Sequence, residues 1–217
     1  MAAIQLVGQN ASPSRVSSGV TLDWRGTRDG AGFTADWITA LAMEGRVYIA
    51  SDADQNDAVT GQTSFVNTTP TFILTVPSGT TAIPLWVRLC QVGTVAGDFI
   101  DVIIEIDDIV GYASGGTAET VLPSRTDNPV AKAATLYSGA TATAGYGVAV
   151  GHYRIAEDVD PASADAQSFG PIIWKPELPM FLVGGACLKV FTFAGTTGPT
   201  WNWSIAWAEI PTTTMIS

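Results

Sequence analysis

Residues 71–107 read TFILTVPSGTTAIPLWVRLCQVGTVAGDFIDVIIEID, and their hydrophobic repeat is that of strands, not helices. Phe72, Ile73 and Leu74 form a short apolar run, Pro77-Ser-Gly-Thr-Thr81 a turn, and Ile83, Leu85, Val87 and Leu89 then recur at every second position. Beyond a glycine-bearing turn at 91–97, Ile100, Val102, Ile104 and Ile106 occupy one face of a second strand, with Asp101 and Glu105 on the other. This spacing predicts an antiparallel hairpin with one buried face and one facing water or a polar partner.

The same alternation extends outward. Strands are expected at 168–175, 180–183 and 187–193, separated by proline and glycine. Over 200–210, Trp201, Trp203, Ile205 and Trp207 fall on one side and Asn202, Ser204, Ala206 and Ala208 on the other. Small neutral residues in place of Lys and Glu indicate a surface lying against a second sheet or a second subunit. Further strands are expected at 19–24, 46–51, 63–66 and 147–155. About nine or ten short strands with turn signals between them predict a single domain over 1–217, an all-β antiparallel sandwich of jelly-roll type. At 34–44, Phe33, Trp37 and Leu41 have helical spacing and Gly45 is a suitable C-cap, so a short helix is expected, with a strand continuous with 46–51 as the alternative. Residues 111–147, rich in Gly, Ala, Ser and Thr with Pro123 and Pro129, read as a long connection.

Composition narrows the function classes. Only 14% of the side chains are charged, against a globular norm of roughly 25%, so few groups are on offer for catalysis. The net charge is -10, and the three lysines, Lys132, Lys175 and Lys189, do not cluster, which argues against nucleic-acid binding. The N-terminus lacks the basic segment and apolar core of a secretory signal, so the chain is expected to mature in the cytoplasm where it is made, with Cys90 and Cys187 as free, buried thiols. The uncharged stretch 58–87 is interrupted by Pro70, Pro77 and Pro84 and does not read as a membrane span.

The candidate chemical sites are thin. His152, in Gly151-His-Tyr-Arg154, is the one imidazole and reads as a strand residue with a structural or surface role. Cys90, Cys187 and His152 lie far apart and lack metal-ligand spacing. Asp52-Ala-Asp-Gln-Asn-Asp57 has oxygen ligands at the first, third and fifth positions of a calcium loop, but Asp57 replaces the glycine and Thr63 the closing glutamate, so a solvated acidic turn is expected. Asp101 and Glu105 stand roughly 13 Å apart along one strand, too far for a glycosidase pair. Glu157, Asp158 and Asp160 precede Pro161 and read as an exposed turn. The expectation is therefore a protein that is not an enzyme, with no catalytic, cofactor or metal site. Among seven tryptophans, Trp201, Trp203 and Trp207 read as a core stripe, and Trp24, Trp37 and Trp174, each near a turn, are the interface or ligand candidates.

Residues 76–85, VPSGTTAIPL, with the strand pair at 87–106, and 184–191, GGACLKVF, with 203–211, resemble jelly-roll virion proteins of tailed bacteriophages, and 40–50 with Glu44-Gly-Arg-Val-Tyr48 is similar in style. The resemblance covers about half of the chain and carries no catalytic motif. It implies a cement, decoration or accessory shell subunit, a homotrimer assembled in the host cytoplasm and carried in the virion, with the major capsid protein or other virion proteins as partners and neither nucleic acid nor membrane. The alternative is a carbohydrate- or receptor-binding jelly-roll module on the virion surface, working through Trp24, Trp37 and Trp174.

Overall fold

Alternating apolar and small polar residues form a chain of short strands because each strand has one face to bury. The computed structural model describes residues 36–52, 59–92, 98–145, 147–157, 170–195 and 200–214. In chain order its elements are helix α1 (Trp37–Met43), then strands β1 (Val47–Ser51), β2 (Val59–Thr60), β3 (Phe72–Thr75), β4 (Thr80–Val92), β5 (Asp98–Asp107), β6 (Tyr112–Ser114), β7 (Thr117–Ala118) and β8 (Val121–Pro123). There follow β9 (Thr135–Ser138), β10 (Thr141–Ala142), β11 (Val148–Glu157), β12 (Ile172–Trp174), β13 (Leu182–Val183), β14 (Cys187–Ala194) and β15 (Thr200–Pro211).

Two antiparallel sheets face each other. One runs β12-β4-β15-β1-β8, with β13 on β4 and β2 on β15; the other runs β11-β5-β14-β3-β9-β7. Between them lie Phe72, Leu74, Ile100, Val102, Ile104, Leu188 and Val190 from the second sheet and Tyr48, Val87, Leu89, Trp201, Trp203, Ile205 and Trp207 from the first, all buried. Phe72 and Trp203 meet across this layer with ring centroids 4.8 Å apart. Each large side chain so placed contributes about 1.5–3 kcal/mol, so the layer between the sheets is the main source of stability.

The predicted hairpin at 71–107 is corrected. β4 pairs with β15, β12 and β13, whereas β5 pairs with β11 and β14 in the other sheet, so the chain crosses between sheets after β4. Alternation reports which face is buried, not which neighbour is hydrogen-bonded, and a crossing satisfies the same pattern as a hairpin. The common face expected for Ile83, Leu85, Val87 and Leu89 is also broken. Pairing passes from Ala206↔Trp86 to Trp207↔Pro84, leaving Leu85 as an extra residue. This bulge reverses the phase of the strand. Val87 and Leu89 face the core, while Ile83 and Leu85 pack outward with Leu41, Val47, Ala208 and Ile210. Pro84, which has no N–H to donate, sits where the ladder is already interrupted.

At 34–44 the helix prevails over the strand. The Asp36 carboxylate accepts from Ile38 N at 2.9 Å and Thr39 N at 3.0 Å, and Gly45 follows with φ +75°. Leu41 plugs α1 onto the outer face of the first sheet. Small Ala208 is thus covered by the chain's own helix rather than by another subunit. The strand expected at 63–66 is absent; those residues bend, and Phe65 caps Phe191 and Phe193 at 5.1 and 5.7 Å. The stretch read as a long connection holds the short strands β6 to β10. The strand expected at 19–24 lies outside the described residues.

Candidate functional site

Inward-facing Ile100, Val102 and Ile104 force Asp101 and Glu105 onto the outer face of the second sheet, where both are nonetheless buried at 4% and 3% exposure. Of the two alternatives for this face, water or a polar partner, it is the second that holds: their partners are basic side chains of the strands on either side. On β11, Arg154 grips Asp101, with Nε 2.8 Å from Oδ1 and one terminal nitrogen 3.1 Å from Oδ2, and His152 Nε2 lies 3.0 Å from Oδ1. The Arg154 hydrogen bond, opposed by burial and assisted by His152, holds the Asp101 carboxyl below the usual carboxylate range. His152 itself stays half exposed on an open sheet face, paired with an aspartate that Arg154 already occupies.

On the other side, β14 places Lys189 directly opposite Glu105. Its ammonium is fully buried and lies 2.6 Å from Glu105 Oε1 and 3.1 Å from Asp107 Oδ2. Glu105 Oε1 also accepts from Gly147 N at 2.6 Å. Burial works against this ammonium, but the bonds to Glu105 and Asp107 outweigh it and hold the lysine above its ordinary range. Cys187, opposite Asp107, is free and buried, and burial pushes its thiol up to about 11. Free Cys90 is only half-buried.

The tryptophans divide. Trp174 of β12 is buried, its indole N–H donating to Val150 O at 3.2 Å. β12 and β11 are the edge strands of the two sheets, and the indole closes the gap between them. A Cβ at Gly151 would lie 2.8 Å from Trp174 Cδ1, so glycine is what admits the ring. At 3% exposure Trp174 seals this edge of the sandwich, at the floor of a shallow cleft it lines with His152, Tyr153 and Lys175. Trp201, Trp203 and Trp207 form the expected core stripe. Trp37 stands on α1 at 45% exposure, and Trp24 lies outside the described residues.

The outer face of the first sheet carries the apolar surface. Ile49 pairs with Leu122 on one side and Ala206 on the other, and Ala206 pairs with Trp86. Cross-strand partners share a face, so these four residues form one row across the sheet. Leu122 is 64% and Ile49 40% exposed. A second apolar surface lines an open cleft of about 640 Å³ between Val148, Phe181, Val183 and Ala186, with Asp107 and Asp108 also in its lining.

No protein-family model matches this chain, and no curated protein is similar to it. Among the described residues no group of three or more His, Cys, Asp and Glu is placed to hold a metal ion, and no helix is long and apolar enough to cross a membrane. Of the acidic run at 52–57, only Asp52 is described; of the turn at 157–160, only the backbone of Glu157. The sequence reading missed the Lys189 and Arg154 partnerships. The available signal was thin: Asp101 and Glu105 alternate with Ile100, Val102, Ile104 and Ile106, a pattern that carboxylates facing water and carboxylates paired with basic residues of the adjoining strands share.

Proposed function

We propose that this chain is a jelly-roll structural subunit of a phage particle, a cement, decoration or accessory shell protein that acts by packing against copies of itself and against the shell. The observation that carries the reading is the pairing β1 with β15, β3 with β14, β4 with β12 and β5 with β11. These are first with last, second with seventh, third with sixth and fourth with fifth among the eight principal strands, which amounts to one long hairpin rolled into two sheets. That arrangement supports a jelly roll, an architecture shared by viral capsid and lectin domains.

Between those two uses, the surface favours packing. The exposed row of Ile49 and Leu122 lies on a regular strand face, the geometry of an interface between subunits. Asp101, Glu105 and Asp107 of β5, carboxylates that a ligand site would present to solvent, are consumed in internal pairs. The carbohydrate-binding alternative keeps Trp37 as its described exposed indole. Purified particles test the proposal: the protein should be present at a fixed copy ratio to the main shell subunit. Its absence from particles, together with Trp37-dependent binding on a glycan array, would overturn the structural reading.

A further inference from the structure

We propose that Lys189 and Asp107 become joined by an intramolecular amide bond between β14 and β5, with Glu105 as the proton carrier. The geometry is that of a trapped amine between two acids on adjacent strands. Lys189 is 0% exposed, the Glu105 side chain 5% and the Asp107 side chain 9%. Lys189 stands diagonally from Asp107, a separation that a long side chain spans, and its Nζ is 3.1 Å from Asp107 Oδ2. Glu105 has its Oε1 fixed at 2.6 Å from both Nζ and Gly147 N. The other Asp107 oxygen, Oδ1, receives Ile109 N–H at 3.3 Å, a donor aimed where negative charge would grow.

The step balances within these three side chains. The ammonium, itself fully buried, gives one proton to Asp107 Oδ2, producing a neutral amine and a neutral acid. The Nζ lone pair attacks Cγ and charge gathers on Oδ1 beside Ile109 N–H. Glu105 Oε1 takes a second proton from Nζ and delivers it to Oδ2, the Cγ–Oδ2 bond breaks, and one water leaves. Glu105 returns to its starting form, and no oxidant or reductant is required. The neutral pair is a minor form of a lysine that its carboxylates hold protonated, so the reaction is slow. A single turnover per molecule suffices to leave the two strands joined. The strands supply the proximity: β14 and β5 already hold Nζ 3.1 Å from Asp107 Oδ2, and the Glu105 carboxylate, which loses its cation on condensation, keeps the bond from Gly147 N–H.

Intact mass spectrometry of the denatured full chain, after days folded at neutral pH, reads the bond directly. The expected mass is lower than that of the sequence by one water, with trypsin failing to cleave after Lys189 and a branched peptide linking Lys189 to Asp107. Asp107→Ala and Glu105→Gln should both show the full mass. A wild-type chain at full mass overturns the proposal, as do a branch mapped to Glu105, a water lost without any branched peptide, or a loss that persists in Asp107→Ala. The wild-type readout does not depend on either variant folding.

Discussion

At the scale of single residues, Gly151 and Trp174 were opaque in the sequence because a tryptophan near a turn looks the same whether it seals an edge or greets a ligand. Their contact makes a direct prediction. Gly151→Ala forces a methyl group to within 2.8 Å of the indole and should cost about 1–3 kcal/mol, read as a lower urea midpoint. Trp174→Phe should lose about 1 kcal/mol for the bond to Val150 O; equal stability in both variants would show the ring to be a bystander. Tyr48 offers a test in base. Its hydroxyl donates to Val130 O at 2.9 Å, and burial, then the nearby Glu209 charge, pushes it up to about 12. A folded value above the unfolded one, about 10, gives stability that is complete below the unfolded value and drains as pH climbs from there to the folded one. Melting temperature should therefore fall over that window, and Tyr48→Phe should flatten the fall. Asp101 works in the opposite sense. Its lowered value gives stability present above the ordinary carboxylate range and lost as pH drops through the folded value, so Asp101→Asn should lower the melting temperature at neutral pH and narrow the difference from wild type in acid.

At the scale of elements, the alternation at 147–155, 187–193 and 200–210 was enough to find β11, β14 and β15, since a period of two is the direct signature of a half-buried strand. Partners were not legible. β5 and β14 are joined by residues far apart in the chain, and nothing local in Asp101 or Glu105 names Arg154 or Lys189 as the cation opposite. The bulge at Leu85 was hidden for a related reason: Ile83, Leu85, Val87 and Leu89 are apolar on both sides of the phase change, because α1 supplies the outer face with its own buried surface. Asp36 tests how far that helix depends on its cap. Asp36→Ala removes acceptors for Ile38 N and Thr39 N and should cost about 1 kcal/mol. Hydrogen exchange should rise across α1 while β14 and β15 remain protected; a uniform rise would mean that α1 is part of the global folding unit.

At the scale of the whole molecule, the small outward residues of β15 have two explanations, and the structure divides them along the strand. Ala208 is small because α1 lies over it. Ala206 is small beside Ile49, which with Leu122 remains open to solvent on a chain with few charges to spare. If that row is an interface in a homotrimer, replacing both residues by glutamate should dissociate it without touching the core. Central apolar anchors are worth about 2 kcal/mol each, or roughly thirty-fold in Kd. Light scattering after size exclusion at micromolar concentration should then show a trimer for the wild type and a monomer for Ile49→Glu with Leu122→Glu. Circular dichroism should be unchanged. A monomeric wild type would remove the assembly reading. A trimer that survives the double substitution would move the interface elsewhere, with the cleft lined by Val148, Phe181 and Val183 beside the edge strand β11 as the next surface to substitute.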